Sequence, residues 1–388
     1  MRKLGKLLII MLILQVISTA CKSLEEDKIQ DKLDSMTLEE KAGQLLIVGF
    51  KGTFLNDRTK SYINDLKVGG LILFDRNIES KGQIIGLVEE IKGSNAEEDI
   101  PLFLCIDEEG GSISRLPKEY RRLPDPFQIG ETNDVDIAFQ FGQLLGNRVK
   151  GLGLNLNFAP VLDIHSNPDN PVIGKRAYGT NPERVSDIGL EVAKGIRNSS
   201  IIPAVKHFPG HGDTSTDSHL ELPIIDKSLE ELRNFELIPF EDAIENNIEM
   251  IMMAHILLPS LDKDYPATLS KKIVHDLLRD EMGYEGVIVS DDMTMGAIVN
   301  NFTLEDACID FLKAGGDILL VCHGEDNPRI VFDKIIDAVE IGELSMEEID
   351  EKVYRILELK DRYLKVGNVD LNLEELNNMA EEIKNRVK

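Results

Sequence analysis

Three histidines and three acidic residues crowd into one segment, residues 206–223, which reads K-H-F-P-G-H-G-D-T-S-T-D-S-H-L-E-L-P. The segment is rich in Gly and Pro and directly follows the apolar run Ile201–Val205. Loops of this composition are costly to order and seldom serve packing alone, so this one is a candidate for chemistry. Asp217 and His219 are spaced to form a local carboxylate–imidazole pair, in which the carboxylate would orient His219 as a general acid/base.

A second candidate group, S-D-D at 290–292, ends another apolar run. A carboxylate at a strand end, preceded by a small serine, can be held rigidly toward a pocket, which makes Asp291 the candidate nucleophile. We expect Asp292 to point elsewhere and to cap the helical segment Thr294–Val299. Asp291 and His219 together predict an enzyme that works with one carboxylate and one histidine.

Residues suited to holding a substrate occur near these groups. Lys206 opens the loop, Arg176 precedes it, and Asp107 follows an apolar run, where it could accept hydrogen bonds. A pocket that recognises sugar hydroxyls needs such cations and carboxylates in forked geometry, although each could instead be half of a buried salt bridge. The neighbouring Glu108 and Glu109 are interpreted as structural.

Metal binding is the alternative chemistry for the loop, because His207, His211, Asp213 and His219 are residue types that ligate metals. A barrel metallohydrolase is expected to carry a His-x-His at its first strand, and residues 44–54 contain no histidine. Proton transfer is therefore the favoured interpretation, and no metal or organic cofactor is predicted.

Eight short apolar runs alternate with amphipathic segments, and continuous runs of this length are typical of strands buried on both faces. The runs are Gln44–Phe50, Gly70–Phe74, Leu102–Ile106, Leu154–Pro160, Ile201–Val205, Met250–Ala254, Gly286–Val289 and Asp317–Val321. Capping boxes begin helices at Thr37, Ser228 and Ser345, and the last helix is predicted to run to about Tyr363. This alternation predicts an α/β fold, a (β/α)₈ TIM barrel with a single catalytic domain; a doubly wound sheet is the runner-up.

The positions of the polar residues favour the barrel over an open sheet. Polar residues that follow an apolar run are Asp107, Asp163, Lys206, His207, His255, Asp291 and His323. In a barrel all of these lie on the C-terminal face, where catalytic groups gather, whereas an open sheet would spread them along one edge. His323 is interpreted as structural.

The N-terminus has the order of a targeting segment. Three basic residues precede an apolar run, Leu7–Ile17, that is too short for a typical membrane span, and small residues then lead into Cys21. This order resembles a bacterial lipoprotein signal, so residues 1–20 are predicted to be removed and Cys21 to be lipidated. Ordinary signal cleavage or a retained anchor helix are the alternatives.

The predicted organisation continues with a tether at 21–34, the barrel at 35–366 and a C-terminal helical tail at 367–388. With this signal the protein is expected to be exported and held at the cell membrane, facing the outside of the cytoplasm. Its membrane contact would be made only through the lipid on Cys21. Cys105, Cys308 and Cys322 are interpreted as buried free thiols.

The net charge of the 388-residue chain is −26. Loss of residues 1–20 would remove Arg2, Lys3 and Lys6 and no acidic residue, so the charge would become −29. A phosphate backbone or an anionic lipid surface needs a basic footprint, so this charge disfavours both nucleic acid and electrostatic membrane binding.

Six segments, in this order, resemble glycoside hydrolase family 3, and more narrowly its β-N-acetylglucosaminidase branch. They are D-E-E-G-G at 107–111, N-F-A-P-V-L-D-I at 157–164, N-P-V-I-G-K-R-A-Y-G at 170–179, the loop at 206–219, M-A-H-I at 253–256 and S-D-D at 290–292. The long loop motif is very specific, and the resemblance spans about residues 35 to 365.

The resemblance implies a (β/α)₈ barrel that removes non-reducing terminal β-GlcNAc with retention of configuration. It implies Asp291 as the nucleophile, which forms a glycosyl-enzyme, and His219, paired with Asp217, as the acid/base. The family positions that hold the sugar hydroxyls are matched by Asp107, Arg176, Lys206 and His207. Arg115 matches a further motif position.

The expected substrate is a carbohydrate, either a peptidoglycan fragment or a chitooligosaccharide. The loop also occurs in relatives that transfer the sugar to phosphate rather than to water, so a β-GlcNAc phosphorylase remains an alternative. A β-glucosidase of the same family is a further alternative. Two alternatives from other classes are a lipoprotein that binds sugar without turnover and a metallohydrolase on the same barrel.

Overall fold

The structure, a computed structural model, describes residues 26–364 and 371–387. Eight parallel strands in this part of the chain close into a barrel, and an antiparallel pair, β4 and β5, lies outside it. The strands are β1 (Leu46–Gly49), β2 (Gly70–Leu73), β3 (Phe103–Ile106), β4 (Glu108–Gly110), β5 (Ile113–Ser114), β6 (Leu156–Asn157), β7 (Ile202–Phe208), β8 (Met250–Met253), β9 (Val287–Asp292) and β10 (Ile318–Val321).

Helices follow the strands and cover the outside of the barrel. A π-type helix spans Lys272–Glu281, and single 3₁₀ turns occur at Asp75–Asn77, Gly174–Arg176 and Ala267–Leu269. The α-helices of the described residues are α1 (26–35), α2 (Leu38–Gln44), α3 (Asp57–Asn64), α4 (Lys81–Ser94), α5 (Pro126–Thr132), α6 (Val135–Lys150), α7 (Pro182–Asn198), α8 (Leu229–Arg233), α9 (Ile238–Glu245), α10 (Gly296–Val299), α11 (Leu304–Lys313), α12 (Asn327–Glu340), α13 (Met346–Tyr363) and α14 (Leu373–Arg386).

The barrel is closed by parallel pairing of its first and last strands, with Leu46 in register with Leu319. Each predicted apolar run overlaps one barrel strand, so the predicted TIM barrel is confirmed. Two strands continue past the predicted apolar runs, because backbone pairing persists where polar residues begin. Lys206 is paired with Met252, and Ser290 is paired with Met253.

The three predicted capping boxes are present, and they fix where helices begin. Thr37, Ser228 and Ser345 each accept a hydrogen bond from the backbone of a glutamate three residues later. The glutamate side chain in turn accepts from the backbone of the capping residue, which satisfies donors that a helix start would leave unpaired. The last of these helices, α13, ends at Tyr363 as predicted.

The N-terminal segment differs from the prediction where it is described. A tether is predicted over 21–34, but residues 26–34 belong to α1, which buries Ile29 and Leu33 against the core. The apolar side chains at this helical spacing explain the difference, because they give α1 a face to pack. The predicted signal at 1–20 and Cys21 lie outside the described residues.

Cys105, Cys308 and Cys322 are buried and free, as predicted. None of the helices that the structure describes combines the length and the apolar character needed to cross a lipid bilayer.

Candidate active site

A cavity of about 300 Å³ lies at the C-terminal ends of the barrel strands. The predicted site residues that line it are Asp107, Arg115, Arg176, Lys206, His207, His219 and Asp291. Asp217 does not line the cavity itself but pairs with His219. A larger cavity, of about 470 Å³, lies near the opposite strand ends, around Leu102 and Leu154, and contains none of the predicted residues.

Lys206 and Arg176 are held in the cavity wall by two carboxylates. Lys206 Nζ lies 2.8 Å from Asp107 Oδ1 and 2.7 Å from Glu109 Oε1. Arg176 donates through Nε and Nη2 to the two oxygens of Glu109, each at 2.8 Å. The interpretation of Glu109 as purely structural is therefore incomplete, because Glu109 lines the cavity and positions both cations.

The surroundings of Lys206, Arg176 and Glu109 favour the charged form of each side chain. Burial alone would lower the pKa of Lys206, but Asp107 and Glu109 outweigh burial and raise it. Burial alone would raise the pKa of Glu109, but Arg176 and Lys206 hold it well below its ordinary range. Buried charges of opposite sign that pair so closely form a rigid wall of donors and acceptors, which suits the recognition of hydroxyl groups.

Asp163 fixes His207 beside this wall. His207 Nδ1 lies 2.6 Å from Asp163 Oδ2, and Asp163 Oδ1 accepts the backbone N–H of His207 at 3.2 Å and that of His211 at 2.6 Å. Burial opposes ionisation of Asp163, but His207 and His211 lower its pKa overall. The arrangement leaves His207 Nε2 as the ring atom available to a ligand.

The residues considered as a metal set are not gathered at one point. His211 Nδ1 lies 2.9 Å from Thr214 Oγ1 and its Nε2 lies 3.0 Å from Ser218 Oγ, so both ring nitrogens have protein partners. Burial lowers the pKa of His211 to about 4. Within the described chain, one group of three or more candidate ligand residues brings its donor atoms within 4.8 Å of one another, and it lies outside the cavity at His275, Asp276 and Asp280.

Asp291 lies near the end of β9 and faces the cavity. Its Oδ1 accepts the backbone N–H of Asp292 at 2.8 Å. Burial would raise the pKa of Asp291, but His255, His207, that N–H and Lys206 together lower it. Asp291 is therefore an ionised carboxylate at neutral pH with room for a substrate beside it, as a nucleophile requires.

The capping role predicted for Asp292 is wrong. Helix α10 begins after Met295, and Asp292 instead connects β9 to the segment after β10. Its oxygens accept hydrogen bonds from Thr294 and from the backbone N–H of Cys322 at 3.0 Å, and Oδ2 lies 2.8 Å from His323 Nδ1. The sequence gives no local signal for this pairing, since the partners are about thirty residues apart.

His219 stands on the loop that follows β7, at the edge of the cavity. Its Nδ1 lies 2.7 Å from Asp217 Oδ1, and the same oxygen accepts the His219 backbone N–H at 2.9 Å. The His219 side chain is 64% exposed, so its Nε2 can reach a leaving group that extends into solvent. The pair predicted from the sequence is thus formed, in an orientation suited to proton transfer.

Arg115 lies at the cavity rim. Its Nη1 donates to Asp75 Oδ2 at 2.7 Å, which leaves the guanidinium less tightly held than that of Arg176. A neighbouring cation that the sequence analysis did not single out is Arg76, which donates to the carbonyls of Phe50 and Cys322. Arg76 follows β2, and its position after a predicted strand is the signal that could have identified it.

Residues 37–359 match the glycosyl hydrolase family 3 N terminal domain. The chain is 35% identical over 334 residues to β-hexosaminidase A from Pseudoalteromonas piscicida, a match that covers 80% of this chain and 56% of that protein. It is 38% identical over 280 residues to a β-hexosaminidase from Neisseria meningitidis serogroup C, covering 70% of this chain and 76% of that one.

Among solved structures, the chain is similar to the family 3 β-N-acetylglucosaminidase from Paenibacillus sp. str. FPU-7. The TM-score is 0.88 at 37% identity, and the match covers 91% of this chain and 69% of that one. The matched range includes the whole barrel and every cavity residue described above. The chain therefore belongs to glycosyl hydrolase family 3, and its similarity lies with the β-hexosaminidases of that family.

Proposed function

We propose that this protein is a retaining exo-β-N-acetylglucosaminidase that hydrolyses terminal non-reducing β-GlcNAc. The observation that carries the proposal is that ionised Asp291 and the His219–Asp217 pair meet at one cavity, whose wall is formed by Lys206 and its carboxylate partners. A volume of about 300 Å³ is at the lower end of ligand cavities, which favours one terminal sugar unit over an internal stretch of a polymer.

In the first step Asp291 attacks the anomeric carbon, and a new ester bond forms as the glycosidic C–O bond breaks. His219, protonated at both ring nitrogens, gives the Nε2 proton to the leaving oxygen. Asp217 keeps its hydrogen bond to Nδ1 throughout, so it holds the ring orientation and stabilises the imidazolium. The leaving group departs as an alcohol, and His219 becomes neutral.

In the second step neutral His219 takes a proton at Nε2 from a water molecule. The water oxygen bonds to the anomeric carbon while the ester bond to Asp291 breaks, which restores the carboxylate and the protonated histidine. Two displacements at the same carbon retain the β configuration. A neutral imidazole at this point would not repel phosphate, which keeps phosphorolysis as a measurable alternative.

The sugar is held through the groups on the cavity wall. Asp107 accepts hydrogen bonds from hydroxyls, and Lys206, Arg176 and His207 donate to them. Asp107 pairs with Lys206, Arg176 pairs with Glu109, and His207 pairs with Asp163, so each group is already oriented before the substrate arrives. Such preorganisation suits a site that acts on one defined sugar.

Peptidoglycan fragments and chitooligosaccharides are the two substrate classes that we propose. The anchored, exported location that we also propose, from the order of residues 1–21, favours the first. Cys21 would carry the lipid and hold the barrel outside the cytoplasm. Fractionation of cells that express the full chain or Cys21→Ala tests this part alone. Membrane association that is lost on Cys21→Ala supports it, and equal distribution of the two proteins contradicts it.

The test of the activity is hydrolysis of 4-nitrophenyl β-GlcNAc and 4-nitrophenyl β-glucoside by residues 22–388, with Asp291→Ala alongside. We expect turnover of the GlcNAc substrate, little turnover of the glucoside and loss of both with the variant. Added phosphate that yields GlcNAc-1-phosphate would identify a phosphorylase. Well-folded protein that turns over neither substrate, nor natural muropeptides, would contradict the proposal and favour sugar binding without catalysis.

A further inference from the structure

Three successive carbonyl groups of the His219 loop are bound by one short stretch of chain that follows β9. The backbone N–H of Ala297 donates to Ser218 O at 3.1 Å, and that of Gly296 donates to His219 O at 3.2 Å. The side-chain amide of Asn300 donates to Leu220 O at 2.9 Å. The loop is thus held along its backbone on both sides of the catalytic histidine.

The contact at Gly296 leaves no room for a side chain. A Cβ atom at this position would lie 2.6 Å from Leu220 O and 2.7 Å from His219 O, distances that real Cβ atoms do not show. Any other residue at 296 would therefore push the loop away from α10. Gly296 serves here for close approach of two backbone segments, a common use of glycine.

The stretch that binds the loop is itself firmly held. Ala297 and Ile298 are fully buried, and the N–H of Met295 donates to Asp292 O at 3.0 Å. Asp292 is fixed in turn by its bonds to Cys322 and His323. The chain from Asp291 to α10 is therefore one rigid unit that carries the nucleophile at one end and the loop contact at the other.

The local pair of His219 and Asp217 cannot by itself set the distance between His219 and Asp291. Both members of the pair belong to the same loop, and the His219 side chain is largely exposed. The carbonyls at 218–220 link the loop to the unit that carries Asp291. A two-group mechanism needs this separation to be fixed, because small displacements at the reacting atoms lower the rate strongly.

We propose that Gly296 and Asn300 are positioning residues, which lock the acid/base loop to the nucleophile strand so that His219 can protonate the leaving oxygen. The inference rests on the proposed function and extends it to two residues that contact the loop, of which Gly296 also lines the cavity. Both act through the backbone of the loop, because their donors bind the carbonyls of His219 and Leu220.

The experiment measures kcat/KM for 2,4-dinitrophenyl β-GlcNAc, 4-nitrophenyl β-GlcNAc and N,N′-diacetylchitobiose with wild type, Asn300→Asp and Gly296→Ala. Asn300→Asp preserves shape but places an oxygen against Leu220 O in place of a donor. Asn301→Ala is the matched control, because the Asn301 side chain donates to Ala297 O within its own segment. Thermal melting of each variant accompanies the kinetics.

We expect the loss to grow as the leaving group becomes poorer, because only a poor leaving group needs its proton in the transition state. For Asn300→Asp, kcat/KM on chitobiose should fall about tenfold or more, which is a part of the roughly 10²–10⁴-fold that general acid–base catalysis supplies in full. The loss on the dinitrophenyl substrate should be much smaller. For Asn301→Ala, the loss of kcat/KM should not depend on the leaving group. For Gly296→Ala, it should depend on the leaving group more steeply than for Asn300→Asp.

An equal loss on all three substrates would mean a general structural role and would overturn the inference, as would unchanged kinetics in Asn300→Asp. Asn300→Asp decides the question even if Gly296→Ala does not fold. Wild-type protein that is inactive on all three substrates and on natural muropeptides would overturn the proposed function and the inference with it. An active wild type, with an Asn300→Asp variant that loses the same factor on every substrate, would overturn the inference alone.

Discussion

Asp291 and Asp292 are consecutive in β9, yet their carboxylates have different surroundings. Asp292 accepts hydrogen bonds from Thr294 and from the Cys322 backbone and pairs with His323. Asp291 accepts the N–H of Asp292 and otherwise faces the cavity. One aspartate therefore joins two neighbouring strand ends, and the other remains available for chemistry.

This division predicts opposite effects for two identical substitutions. Asp291→Asn should lower kcat at least about 10³-fold, as loss of a covalent nucleophile does, with the melting temperature unchanged or raised. Asp292→Asn should cost about 1.5–3 kcal/mol of stability, because it weakens hydrogen bonds to a charged acceptor. Melting curves and kinetics of both variants check this, and equal loss of stability in the two would contradict it.

The bidentate ion pair of Arg176 and Glu109 predicts that Arg176→Lys is not a conservative substitution. A lysine can reach one carboxylate oxygen where the guanidinium binds both. We expect kcat/KM to fall about 10- to 100-fold, since both the cavity wall and its contacts with the sugar change. Arg115→Lys is the control, because Arg115 has a single bond to Asp75 at the rim and should lose less. Similar losses of kcat/KM in the two variants would contradict a special role for the bidentate pair.

The bond between Asp217 and His219 predicts a selective effect on kcat. Asp217→Ala removes the acceptor at Nδ1, so the exposed ring can rotate and its protonated form is less stabilised. We expect kcat to fall about 10- to 100-fold with KM nearly constant, a part of what general acid–base catalysis supplies. Asp213→Ala tests the loop itself, since Asp213 pairs with Lys227 rather than with a catalytic group. A matching kcat loss there would assign the effect to loop disorder.

Much of the fold and the candidate site follows from local sequence patterns. Apolar runs locate the barrel strands, and parallel closure then brings residues at the strand ends, such as Asp107 and Asp291, to one face. The pair of Asp217 and His219 is two residues apart, so its geometry is local and its formation could be anticipated.

Long-range side-chain partners could not be predicted in the same way. Glu109 pairs with Arg176, which is 67 residues away in the sequence, and Asp292 pairs with His323, which is 31 residues away. Whether a residue at a strand end turns into the cavity or toward the next strand depends on the backbone direction over one or two residues. Spacing in the sequence does not contain that information, which is why the expected helix cap at Asp292 was wrong.

Glu108 lies between the two cavity carboxylates but points away from them into the protein. It is fully buried, and within the described chain no hydrogen bond of good geometry reaches either carboxylate oxygen, although the Ser114 side chain and the Arg115 backbone interact with it. Its backbone is fixed by Asn157, which bonds both its N–H and its C=O at 2.9 Å. Burial raises the pKa of Glu108 from 4.5 to about 7, against the opposing effects of the Ser114 side chain and the charge of Arg148.

This raised pKa predicts that the contribution of Glu108 to stability falls as pH rises from about 4.5 to about 7. The folded state holds the Glu108 proton in that window while the unfolded chain has released it, so the contribution is complete below 4.5 and lost above 7. The shift corresponds to about 3 kcal/mol. Glu108→Gln cannot ionise, so its stability relative to wild type should increase between pH 5 and pH 8. Denaturant unfolding at both pH values measures this change, with exposed Glu97→Gln as the control. A difference between Glu108→Gln and wild type that is the same at both pH values would mean that Glu108 is already ionised in the folded protein.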